Sequence, residues 1–172
     1  MTRYFDNTVG MGFDGVVTEE CQKFKRLRGM ALYLPAVLKT VFVSLRPARS
    51  DITCQLDGSA PQRLQSTVLM ATVCNGPREG GGFFIAPEAQ NDDGVLDVCL
   101  ADMVSRPRIL GLIPHFIKGT HVDKPNVRMM KATHVVIESP DPMIAHADGE
   151  MICTEGHRIE CEILPSRLRV VC

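Results

Sequence analysis

Apolar positions change their spacing along this chain, and the changes divide it into elements. Between Met30 and Ser44 they recur at Met30, Leu34, Val37, Leu38 and Val41, the spacing of one helix face. Pro35 falls in the first turns of that predicted helix, where a missing N–H does least harm. Just upstream, Thr18, Glu19 and Glu20 stand at one end of a polar stretch, and Lys23, Lys25, Arg26 and Arg28 at the other, ahead of Gly29. That charge order complements a helix macrodipole and predicts a helix capped by Thr18.

After Arg46-Pro47 the period drops towards two. Ile52–Leu56 alternates into Asp57-Gly58, a hairpin signal. Further strands are expected at Leu64–Cys74, Phe83–Ala86, Val95–Ala101, Val127–Met130, Thr133–Ser139, Met143–Ala147, His157–Leu164 and Leu168–Val171. Ser105 and Pro107 open a third helix that runs through Lys118 to a stop at Gly119. Residues 8–15, Thr-Val-Gly-Met-Gly-Phe-Asp-Gly, carry too many glycines for a regular element and read as tight turns or close backbone approach.

Many short strands with about three helices predict a single, mainly β domain over residues 1–172, a two-sheet β-sandwich-like architecture with helices packed on it. The strand–helix alternation of a doubly wound nucleotide-binding fold is missing. A chain of 172 residues has an ordinary core within reach. With a net charge of −1, 5% aromatic residues and no Trp, the composition argues against a nucleic-acid partner. The seven cysteines are odd in number and form no CxxC pair, which predicts reduced thiols in a cytoplasmic protein rather than zinc or disulfides. No apolar run approaches the ~18–20 residues of a membrane span. Met1–Asp6 lacks the features of a signal peptide. A cytoplasmic chain is expected, with peripheral contact to a membrane surface left open. Lys23, Lys25, Arg26 and Arg28 are the first candidate for meeting anionic headgroups, and Arg106, Arg108 and Lys118 a weaker second; a solvated helix face is the plainer reading.

Four stretches occur in a telling order: Asn7-Thr8-Val9-Gly10-Met11-Gly12-Phe13-Asp14; Cys74-Asn75-Gly76-Pro77 with Gly80-Gly81-Gly82; Ala86-Pro87-Glu88-Ala89 leading to Asp93-Gly94-Val95-Leu96-Asp97-Val98; and Asp148-Gly149-Glu150. In that order and spacing the chain resembles the C-terminal domain of the diacylglycerol kinase and sphingosine kinase family, in its bacterial lipid-kinase form. The resemblance implies a β-sandwich that forms one wall of an active-site cleft. The other wall, an N-terminal nucleotide-binding domain with a Gly-Gly-Asp-Gly-Thr motif, has no counterpart here. The implied activity is ATP- and Mg²⁺-dependent phosphorylation of a lipid hydroxyl, such as that of diacylglycerol, with this chain inactive alone. The NAD-kinase branch shares the same two-domain plan, but the glycine pattern is closer to the lipid branch.

By the same resemblance Asp148 matches the general base, and Glu150 faces the nucleotide and its magnesium. Asp93, with the main-chain carbonyls of Gln90 and Val95, matches a structural Mg²⁺ site. Asn75 matches a residue of the cleft lining, and the Gly80, Gly81, Gly82 run would let backbone approach a cofactor phosphate or a lipid headgroup. Read from the residues alone, Asp57-Gly58, Asp93-Gly94 and Asp148-Gly149 are all turns. Residues 91–97 are then an acidic turn, and the glycine run a hairpin connection, since no helix N-terminus follows it. His146 shares a face with Asp148 if the strand continues. A pocket between the sheets, with the Met30–Val41 helix, is the expected place for acyl chains. A non-catalytic lipid- or partner-binding module is the alternative, and pairing of two copies through the uncovered cleft face is open.

Overall fold

The computed structural model describes residues 2–24, 29–80 and 82–168. In chain order the elements are β1 (Thr8–Gly12), α1 (Phe13–Cys21), α2 (Met30–Lys39) with a π-helical turn (Thr40–Ser44), β2 (Ala48–Gln55), β3 (Gln62–Cys74), β4 (Arg78–Glu79), β5 (Phe83–Phe84), β6 (Leu96–Asp102), α3 (Arg106–Lys118), β7 (Val127–Ala132), β8 (His134–Ala147) and β9 (Glu150–Glu162). Seven strands form one antiparallel sheet, and β4 and β5 form a separate two-stranded hairpin. The mainly β, sandwich-like architecture with three α-helices is as the pattern predicts.

Two long strands organise the sheet. The first half of β3 pairs with β2, from Cys54↔Gln62 to Ala48↔Val68, and its second half pairs with β1, from Gly12↔Met70 to Thr8↔Cys74. β8 repeats the arrangement, with β2 at His134–Glu138 and β1 at Ala145–Ala147. β1 and β2 therefore lie end to end between β3 and β8. β6 and then β7 extend the sheet beyond β3, and β9 extends it beyond β8.

Side-chain alternation then sorts the core. In β6, Leu96, Val98 and Leu100 enter one apolar cluster together with Val9, Met11, Ala71, Val73, Val135 and Ile137. Cys99 and Ala101 face the other way and join Leu69, Met70 and α3 residues Ile109, Leu112 and Phe116. The first cluster is the sandwich interior; the second is the face that carries the helices. Each large aliphatic side chain sealed in this way contributes about 1.5–3 kcal/mol.

α3 matches its predicted ends. Ser105 precedes it in extended backbone, Pro107 lies in its first turn, and Gly119 ends it in left-handed conformation with φ 71°. The N-terminal prediction fails. Residues 8–15 are regular: a strand, then the start of α1, whose N-cap is Gly12 rather than Thr18. Thr18 is buried inside the helix. The reason is the glycines. A Cβ on Gly15 would lie 2.3 Å from the Ile144 carbonyl oxygen, so only glycine lets α1 lie directly on β8. The two strands expected at 133–139 and 143–147 are one bent strand, β8. Lys25, Arg26, Arg28 and Gly81 lie outside the described residues, as does all of the strand expected at Leu168–Val171 except Leu168, which has no regular structure. The six described cysteines are all free thiols.

Candidate active site

Sheet register builds the site from distant parts of the chain. Thr72 on β3 pairs with Gly10 on β1, and Gly10 pairs with His146 on β8. The three residues form one row across the helix-bearing face. α1 places Asp14 over the middle of this row, where Gly10 has no side chain. A Cβ there would lie 2.3 Å from Asp14 Oδ2 and 2.4 Å from His146 Nε2. Thr72 Oγ1 donates to Asp14 Oδ2 at 2.8 Å. From the β4–β5 hairpin, Glu79 reaches in to put Oε1 3.0 Å from His146 Nε2, while Asp14 Oδ2 is 3.6 Å from the same nitrogen.

The His146 side chain is 0% exposed. Its Nε2 and Glu79 Oε2 are buried without a well-directed hydrogen bond. Burial opposes charge on all three groups, but not equally. Burial, followed by the charge of Asp14, pushes the Glu79 carboxyl up to about 7. For Asp14 burial works upward, yet the His146 and Thr72 hydrogen bonds outweigh it and hold the carboxyl below its ordinary value. Burial alone would lower His146, but the two carboxylates outweigh it and push the imidazole up to about 10. The Gly149 N lies 3.3 Å from His146 Nδ1, which accepts its N–H when the ring is neutral. The three groups hold their protons jointly.

The cluster opens on an apolar pocket. α1 lines it with Phe13 and Val17, α2 with Tyr33 and Val37, and α3 with Ile109 and Phe116, while Asp14 and Glu79 stand on its wall. It therefore lies between the helix-bearing sheet face, the hairpin and all three helices, not in the sandwich interior. α2 contributes as expected. The Gly80–Gly82 connection is a hairpin turn: Gly80 adopts φ 60° and packs under Tyr33, whose Cε1 would be 3.0 Å from an added Cβ.

The residues expected to carry chemistry gather on the outer side of β1. Asp148 is exposed and adopts φ 50°, a left-handed backbone uncommon for a residue with a side chain. Its Oδ1 accepts the N–H groups of Asn7 (3.0 Å) and Thr8 (2.9 Å), and its Oδ2 accepts that of Asp6 (2.9 Å). Its own N–H donates to the Thr8 carbonyl, so the Asp148-Gly149 turn is sewn to the start of β1. The Asp6 side chain also lies against this carboxylate, and the hydrogen bond and charge of Asp148 raise the Asp6 carboxyl above its ordinary value. Asn75 donates to the Asp6 carbonyl at 2.9 Å, and Asn7 Nδ2 donates to the Arg78 carbonyl at the start of the hairpin. Glu150 is exposed and paired with Arg3. The structure thus brings Asp148, Glu150 and Asn75 to one end of the sheet. His146 reaches this end only through Gly149; its ring points to the opposite, buried side.

The 90–95 loop folds close by, with Asn91 Nδ2 3.2 Å from a Cβ built on Gly76. Asp93 Oδ1 accepts the Val95 N–H at 2.9 Å. Lys131 Nζ lies 3.8 Å from both Asp93 Oδ2 and Asp97 Oδ2. Asp97 Oδ2 is buried with no hydrogen-bond partner. Asp93 and Asp97 are hard oxygen donors of the kind that Mg²⁺ takes, with the Lys131 ammonium now close to both.

Asp14 stood in a sequence motif without an assigned role, and Glu79 in none. No local pattern marks Glu79: it lies in a two-residue strand, 65 positions after Asp14 and 67 before His146. A pair of facing carboxylates around a histidine is visible only in the folded chain.

Residues 7–172 match the family described as the YegS C-terminal NAD kinase beta sandwich-like domain. The chain is 30% identical over 169 residues to the diacylglycerol kinase of Mycobacterium tuberculosis (strain ATCC 25618 / H37Rv), covering 98% of this chain and 52% of that protein. It is 27% identical over 171 residues to the putative lipid kinase YtlR of Bacillus subtilis (strain 168), covering 96% and 54%. A crystal structure of a putative diacylglycerol kinase from Bacillus anthracis str. Sterne shares the fold, with a TM-score of 0.63 at 22% identity over 94% of this chain and 51% of that one. The chain spans about half the length of the curated relatives it matches.

Proposed function

The chain belongs to the YegS C-terminal, NAD-kinase β-sandwich-like domain family, and from that premise we propose that it is the lipid-facing, base-bearing half of an ATP-dependent lipid kinase acting on a hydroxyl such as that of diacylglycerol. The observation that carries the reading is Asp148: an exposed carboxylate in a hairpin turn, aimed by three main-chain N–H groups. Its left-handed backbone is the ordinary one of a two-residue hairpin turn between Ala147 and Glu150, and it aims the carboxylate at residues 6–8. Relatives named as lipid and diacylglycerol kinases support the reaction class.

In this proposal the lipid hydroxyl approaches Asp148 Oδ2. The hydroxyl oxygen forms the new bond to the γ-phosphorus of ATP, the bond from that phosphorus to the ADP oxygen breaks, and the proton passes to Asp148. Positioning and charge neutralisation are the main demands of such a transfer. The backbone cage at residues 6–8 supplies the positioning. Glu150, Asn75 and the Gly80–Gly82 hairpin face the arriving nucleotide, which is held on a separate folded unit. Asp93, with the Gln90 and Val95 carbonyls, would hold a structural Mg²⁺ that braces the 90–95 loop against the site without taking part in the chemistry. The apolar pocket takes the apolar portion of the lipid.

The test joins this chain to the nucleotide-binding half of a relative and measures ATP-dependent phosphorylation of diacylglycerol. Asp148→Asn is expected to lower the rate by about 10²–10⁴-fold. Full activity in that variant overturns the assignment of Asp148. No activity with any lipid in the parent fusion, together with retained lipid binding, favours the non-catalytic binding module.

A further inference from the structure

We propose that the outer face of α2 and its π-helical continuation is a docking surface for an anionic lipid bilayer. α2, Met-Ala-Leu-Tyr-Leu-Pro-Ala-Val-Leu-Lys, has no charged side chain until its last residue. A helix apolar all round is normally buried all round. This one is not. Its inner stripe, Ala36, Val37 and Val41, is sealed against α1, α3 and the sheet, and Tyr33 joins it at the pocket. Its outer stripe repeats at i, i+4 and i+8: Leu34 is 42% exposed, Leu38 39%, Phe42 57%, and the adjoining Val43 74%. These four account for half of the eight large exposed apolar side chains among the described residues, and they are contiguous on one element. Scattered exposed apolar residues are ordinary; a continuous ridge marks an interaction surface.

Charge identifies the occupant. Arg46 follows the π-helical turn, and Arg106 Nε donates to the Val41 carbonyl at 3.0 Å, which fixes its guanidinium beside the ridge. Both are exposed, and neither belongs to an ion pair among the described residues. The acidic residues of the neighbouring α1 are already engaged: Glu19 with Lys23, and Glu20 with Lys23 and Lys39. An apolar ridge flanked by unpaired arginines fits a surface with acyl chains behind an anionic headgroup layer. A second copy of this chain would instead bring the arginines of both copies together. α2 lines the pocket with its inner face, so docking its outer face sets the pocket beside the bilayer. Among the described residues no helix is long and apolar enough to cross a membrane, so the contact is interfacial.

The test is flotation of the chain with vesicles of phosphatidylcholine alone and of phosphatidylcholine mixed with phosphatidylglycerol. The expected result is binding to the anionic vesicles, weakened by salt. Leu38→Ser with Phe42→Ser should lower the affinity at least about tenfold. Arg46→Gln and Arg106→Gln should each cost roughly fivefold on anionic vesicles only. Leu164→Ser, an exposed apolar residue elsewhere, should leave binding unchanged. Val43→Ser, the most exposed change on the ridge, keeps the test decisive if the double variant fails to fold by circular dichroism. Absence of binding to anionic vesicles, or equal binding by ridge variants and parent, overturns the proposal. So does a ridge variant that alters only the oligomeric state in sedimentation. No nucleotide or kinase substrate is present, so this outcome and that of the phosphoryl-transfer assay are independent.

Discussion

Asp148 and the Asp14–Glu79 pair flank the same short strand, β1, yet their surroundings treat negative charge in opposite ways. Outside, three N–H groups of residues 6–8 converge on the Asp148 carboxylate while water screens it. Inside, two carboxylates crowd one imidazole over Gly10, with burial driving Glu79 towards its neutral form. The exposed group has fixed direction, with the Asp6 carboxyl beside it raised by its charge, which suits a group that must accept a substrate proton. The buried groups are bound to each other's protonation, and their removal disturbs the fold first. His146 spans the two regions, with Nε2 in the cluster and Nδ1 on the Gly149 N–H that helps hold the Asp148 turn.

The sharpest break in this comparison is His146→Ala. It leaves two buried carboxylates with no imidazole between them, and breaking a buried charge cluster in this way costs roughly 3–5 kcal/mol. Chemical denaturation at pH 8 should show that loss. A loss under 1 kcal/mol would mean that water reaches the cluster.

Next comes pH. Glu79 is raised from 4.5 to about 7, and His146 from 6.5 to about 10. Both shifts mean that the folded chain binds more protons than the unfolded chain between those values. Stability from the cluster is therefore complete below about pH 4.5 and falls as pH rises towards 10. Asp14, held below its ordinary value, acts in the opposite sense but only in more acid solution. Denaturant titrations at pH 5 and pH 9 should show the decline, on the order of 5 kcal/mol from the two shifts together. Glu79→Gln, which mimics the protonated acid, should flatten it. An unchanged slope in that variant would remove Glu79 from the account.

The smallest effect is expected on the exposed side. Asp148→Asn keeps an acceptor oxygen, and Asn tolerates left-handed backbone. Its stability should drop by no more than about 1 kcal/mol, although the rate of the joined enzyme falls by orders of magnitude. A large stability loss would make Asp148 a structural clamp instead.

Local chemistry was legible in the sequence wherever local chemistry decides. α3 begins after Ser105 and ends at Gly119 because extended backbone before a proline and a left-handed glycine act within a few residues. The Asp57-Gly58 hairpin and the alternation of β6 are local in the same sense. Residues 8–15 misled because their glycines serve partners far away: Gly10 makes room for Asp14 and His146, and Gly15 for the Ile144 carbonyl. Asp148 read as a turn from its own neighbours. Only the fold shows that the N–H groups of residues 6–8 surround its carboxylate.

The linear chain by itself determined a mainly β domain with three α-helices, an Asp-Gly turn at 148 and an acidic loop at 91–97. Tertiary structure alone decided that Glu79, Asp14 and His146 meet, and that α2 keeps an apolar outer face. The physical reason is register: Thr72↔Gly10↔His146 is a row across three strands whose members are more than 60 residues apart in sequence, and no local propensity encodes such a pairing.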